Sequence, residues 1–83
     1  MKSREDDNIR ALVKRYEQQR SNGLSQYFDV DEFDRIADYY LDRGRTNKLS
    51  EVVSSALRIH PNSTVIHLKR AILYVETGEP MKA

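Results

Sequence analysis

The sequence predicts an all-α fold of antiparallel helix-turn-helix repeats, and three observations carry that prediction. Apolar residues recur at helical spacing in four separate stretches. Residues that stop helices stand between and after them: Asn22-Gly23, Gly44, Pro61 and Gly78. The chain also repeats itself. Ala37-Asp38-Tyr39-Tyr40-Leu41-Asp42-Arg43-Gly44 lies 34 residues ahead of Ala71-Ile72-Leu73-Tyr74-Val75-Glu76-Thr77-Gly78. Ala, Tyr and Gly recur in register, and Leu41/Val75 and Asp42/Glu76 match in kind. A fixed period of this length marks an array of helical repeats, and no strand is expected.

The first helix should span about residues 4–20, with Ser3 and Asp6 as a cap pair. Ile9, Leu12, Val13 and Tyr16 form one narrow apolar stripe on an otherwise charged helix. Such a helix suits the edge of a larger body. Gly23 ends it. Tyr27 and Phe28 in the connector should both be docked, because each ring buries a large area. Phe28 should act as a staple before the next helix. Asp29 and Glu32 read as a capping box opening a helix over about 30–43, with Phe33, Ile36, Ala37 and Tyr40 buried and Gly44 at its end.

The third helix should begin at Thr46 or Asn47 as cap and run over 47–59, with Leu49, Val52, Val53, Ala56 and Leu57 inward. Pro61 stops it, since the residue before proline is pushed out of the helical region. Asn62 and Ser63 then cap a fourth helix over 64–76. Val65, Ile66, Leu68, Ala71, Ile72, Leu73, Tyr74 and Val75 leave it little polar surface, so it expects cover on more than one side. Glu79 to Ala83 reads as the first turn of a further helix. The connections allow only antiparallel neighbours.

Within residues 29–83 this spacing resembles the tetratricopeptide repeat. Phe33 stands at the family's first aromatic position, Ile36-Ala37 at its apolar-small pair, and Tyr40 at its second aromatic. Val53, Ala56 and Pro61 complete the pattern. The departures are Phe for Trp at 33, Ala for Gly at 37 and Leu for Ala at 49. The second unit is weaker, with His67 and Arg70 at the aromatic and apolar positions. The resemblance implies a fragment of an α-solenoid: residues 1–28 a leading helix and connector, 29–62 a first repeat, 63–83 the first half of a second. That division reads as the N-terminal piece of a longer array.

Composition narrows the function classes. Eighty-three residues make one small domain. The absence of cysteine removes disulfide and thiolate chemistry and fits a reducing compartment. The polar N-terminus lacks a signal-peptide core, and no run is long enough to cross a bilayer. These features point to a cytoplasmic protein without a membrane partner. Two histidines and no Gly-rich phosphate loop supply few parts for catalysis, so neither an active site nor a cofactor is expected. His60 and His67 stand seven apart across a proline, which does not suit metal ligation. Structural roles fit both better. Asp29, Asp31 and Asp34 fail as a calcium loop because Phe33, Asp34 and Tyr40 occupy positions that require other residues. No metal site is expected.

Charge is close to balanced, at +1, but unevenly distributed. Asp29, Asp31, Glu32, Asp34, Asp38 and Asp42 face only Arg35 within residues 29–42. Asp31, Asp34, Asp38 and Asp42 fall on one side of their helix. In tetratricopeptide arrays the first helix of each unit lines a groove that holds extended peptides or partner helices. The resemblance therefore assigns Asp31, Asp34, Asp38, Leu41 and Asp42 to that groove, joined by Val65, Leu68 and Ile72. It implies a non-enzymatic scaffold for a protein or peptide carrying Lys or Arg. The alternative is a structural cap ending a longer solenoid. Nucleic acid is not expected, since acidic residues interrupt the basic ones of the first helix and a helix-turn-helix reading would set the acidic helix against a polyanion. The apolar fourth helix also predicts a homodimer through residues 64–76.

Overall fold

The chain folds around a hairpin whose ends are set by local chemistry. In the computed structural model, which describes residues 4–23 and 27–78, α2 (Val30–Asp42) begins at the expected capping box. The Asp29 carboxylate accepts from the Glu32 amide at 2.8 Å, and Glu32 accepts from the Asp29 amide at 3.1 Å. Two backbone donors that a helix start leaves open are thereby satisfied. At the other end Gly44 takes φ +68°, and its amide donates to the Leu41 carbonyl. The Arg45 amide reaches back to the Tyr40 carbonyl at 2.9 Å. This left-handed turn reverses the chain within three residues.

The return helix α3 (Thr46–Ile59) packs on α2. Phe33, Ile36, Ala37 and Tyr40 meet Leu49, Val52, Val53 and Ala56, all nearly sealed from solvent. Burying a large apolar side chain stabilises by about 1.5–3 kcal/mol, so this layer is the main support of the fold. One expectation fails here. Neither Thr46 nor Asn47 caps α3; Arg45 holds the cap position and no side chain bonds there. The Schellman-type turn takes up the residues ahead of α3, so the helix begins at Thr46 itself.

Beyond Pro61, Ser63 caps α4 (Thr64–Thr77), its hydroxyl accepting from the Ile66 amide. α4 lies against both α2 and α3, whereas α1 (Arg4–Ser21) lies against α2. Val13 and Tyr16 supply the buried part of the α1 stripe, with Ile9 and Leu12 partly covered. Phe28 is the expected staple: fully buried, edge-on to Tyr16 and Phe33, with the Arg15 guanidinium 4.7 Å from its ring. Tyr27 departs from expectation. It is 69% exposed and leans on His60, while Phe28 alone of the pair enters the core.

α4 has more apolar surface than its neighbours cover. Only Ile66 and Leu73 are buried, and the opposite side of the helix is open. His67 and Arg70 stand where α2 has Phe33 and Ile36, so α4 brings less apolar volume to the hairpin. No strand occurs among the described residues. The Ser3 cap and the turn at Glu79–Ala83 lie outside them.

Candidate interaction surface

Because α2 turns Phe33, Ile36, Ala37 and Tyr40 inward, helical spacing sends Asp31, Arg35, Asp38 and Asp42 to the other side. Asp31 and Asp42 are exposed there. The face is not the uniform acidic stripe that the spacing alone suggests. Lys69 of α4 extends its ammonium to Asp38 Oδ1 at 2.5 Å and to Asp34 Oδ1 at 3.1 Å, the latter as an ion pair off the hydrogen-bond direction. The Lys69 side chain is 15% exposed. Burial pulls its pKa down, but Asp38 and Asp34 outweigh burial and leave it raised. The ammonium is therefore a fixed charge that consumes part of the acidic face and fastens α4 to α2.

Lys69 also marks how the two helices meet. One turn to either side of it, Ile66 and Leu73 enter the core, while Val65 and Ile72, also one turn away, flank it on the outer side. Val65 and Leu68 are 41% and 60% exposed, Ile72 is half-buried, and Val75 is 77% exposed. Leu41 is partly buried against the core. The structure thus brings Asp34 and Asp38 to Lys69 where α2 meets α4, with Val65 and Ile72 one turn from that lysine along α4. Asp31, Asp42 and Leu68 are exposed, and among the described residues no ion pair or hydrogen bond joins their side chains to it. Sequence reasoning left out Lys69, although a single lysine within an apolar helix, 34 residues after Arg35, was a signal that the acidic helix had a neighbour.

On its other side, α2 forms an open cleft of about 330 Å³ with α1, lined by Ile9, Arg10, Arg35, Tyr39 and Arg43 together with Asp38 and Asp42. The Arg43 guanidinium sits 3.8 Å from the Tyr39 ring centroid. Arginines dominate this side and carboxylates the α4 side, so charge is graded across the face. α1 borders the face without covering it.

The remaining polar chemistry supports structure. Tyr40 donates its hydroxyl to Glu17 Oε2, joining α2 to α1. Burial first, then that bond, raises the Tyr40 pKa. Burial likewise raises that of Tyr16, against the opposing influence of Arg20 and the Ser55 hydroxyl. Arg15–Glu32 and Arg20–Glu51 add ion pairs from α1 to α2 and α3. The ring nitrogen Nε2 of His60 lies 2.8 Å from the Phe28 carbonyl oxygen, and that of His67 lies 2.8 Å from the Pro61 carbonyl oxygen. Both histidines hold loops. Among the described residues no three metal-ligating side chains gather, and no helix is long and apolar enough to cross a membrane. No family model, no curated protein and no solved structure matches the chain.

Proposed function

We propose that the chain is a non-enzymatic protein-interaction module, related in design to tetratricopeptide repeats, that binds a partner through the joined faces of α2 and α4. The observation that carries this reading is the open apolar side of α4: Val65, Leu68 and Val75 stand in solvent beside the half-neutralised acidic face of α2. Contiguous apolar surface rimmed by polar groups is the usual mark of a binding site. A structural cap would instead turn this apolar side to a neighbouring repeat. The exposed polar side of α1 favours a capping role for residues 1–28 alone, which is compatible with binding across α2 and α4. A reducing cytoplasmic setting suits a chain without cysteine.

The test is selection from a phage-displayed random peptide library on the intact chain, with Leu68→Asp as the counter-target. Leu68 lies outside the core, so the variant should keep its helical circular dichroism and melting temperature. Peptides that bind the chain and lose affinity for Leu68→Asp support the module. Recovery only of peptides indifferent to Leu68→Asp would overturn it.

A further inference from the structure

We infer that the occupant of this surface is an amphipathic helix from another protein, apolar on one side and carrying Lys or Arg along the edge that lies over α2. The inference rests on the interaction-module reading and adds the partner's class. Val65, Leu68, Ile72 and Val75 follow one another at intervals of three, four and three residues. That is the alternation of a coiled-coil seam, in which each side chain enters a gap between four residues of a facing helix. At 1.5 Å rise per residue the row is about 15 Å long, close to three turns. An extended peptide presents same-face side chains roughly 6.5–7 Å apart and falls out of step with such a row. A facing helix keeps step.

The two edges of the row differ in charge, and this selects the partner. On the α2 edge Lys69 is held by Asp34 and Asp38, while Asp31, Asp42 and Glu76 are exposed without ion pairs among the described residues. α2 and α4 run in the same direction, each being antiparallel to α3 through a short loop. Asp31 therefore stands towards the Val65 end and Asp42 with Glu76 at the Val75 end. Acidic groups are spaced along the whole edge. The other edge, formed by Thr64, His67, Ala71 and Tyr74, carries no carboxylate or ammonium. A second copy of this chain docked antiparallel on the same row would set acidic edge against acidic edge. A helix with basic residues on that edge meets the charge and the apolar row together.

Synthetic peptides test this on the intact chain. One is a 21-residue helix with Leu at both seam positions and Lys at the flanking ones; a second replaces each Lys by Glu. A third keeps the Lys version but places proline at two central positions to prevent helix formation. Fluorescence anisotropy should show the Lys helix binding at least about tenfold more tightly than the Glu helix, with the preference shrinking as salt rises. Asp31→Asn with Asp42→Asn should reduce that preference, and Leu68→Asp should remove binding of the Lys helix. Equal binding of the proline-interrupted peptide overturns the helical partner yet leaves the module standing. Equal binding of the Glu helix overturns the basic edge. Sedimentation of the chain alone decides the remaining occupant: a dimer that grows with concentration and vanishes in Leu68→Asp overturns the inference in favour of a second copy. No Leu68-dependent binding by any of the three peptides overturns it too, and the library selection then decides separately whether the module itself survives.

Discussion

Three side chains, Tyr16, Tyr40 and Lys69, keep their protons more tightly in the folded chain than their types ordinarily do. For both tyrosines the leading cause is burial; for Lys69 burial acts the other way, and Asp38 and Asp34 together outweigh it. A raised folded pKa means that the unfolded chain releases its proton first as pH climbs. The associated stability is complete below about pH 10, the ordinary tyrosine value, and is lost as pH rises towards each folded pKa. Thermal melts should therefore be flat from neutrality to about pH 9 and fall steeply beyond pH 10. Tyr40→Phe should cost about 1–3 kcal/mol at neutral pH, because the bond to Glu17 is charge-assisted. It should also shallow the alkaline fall, since phenylalanine does not ionise. An alkaline slope identical to that of the parent would remove Tyr40 from this account.

At the scale of elements, the connector ahead of α2 makes the sharpest contrast. Phe28 and Tyr27 are adjacent aromatics, one fully buried and one mostly exposed. Phe28→Ala should cost about 3–5 kcal/mol, the range for a lost core aromatic, while Tyr27→Ala should stay within about 0.5 kcal/mol; denaturant melts separate the two. Ala56→Leu should destabilise by about 1–3 kcal/mol through overpacking where α3 meets α2. Helix boundaries were legible because periodicity and punctuation agree: Asp29 with Glu32, Gly44, Pro61 and Ser63 each act locally. What the sequence concealed is set by tertiary neighbours. Nothing local to the Tyr27-Phe28 pair says which ring packs against Tyr16 and Phe33. Nothing within α2 says that Asp34 and Asp38 will share Lys69 from a helix more than thirty residues later. The acidic face was readable as a pattern. Its neutralised part was not.

Across the whole molecule, support is unequal, and the inequality follows the binding surface. α2 and α3 share a sealed apolar layer, and α1 is fastened to them by Val13, Tyr16, the Tyr40–Glu17 bond and two ion pairs. α4 contributes Ile66 and Leu73 to the core, with Lys69 as its polar tie. Elements with few buried apolar contacts open at lower free energy than the body they lie on. Amide hydrogen exchange should accordingly be slowest, among the interior turns of the helices, in α2 and α3, and faster in α1 and α4, each of which places two apolar side chains in the core. Leu73→Ala should speed exchange in α4 strongly and destabilise by about 2–5 kcal/mol. Leu68→Asp, on the open side of the same helix, should leave both exchange and melting nearly unchanged. If all four helices exchange at one common rate, α4 is not an independently opening unit and its exposed row is held as firmly as the core. If α4 opens first, a partner helix laid on Val65, Leu68, Ile72 and Val75 should slow its exchange more than that of any other element, because binding then supplies the second side that this helix lacks.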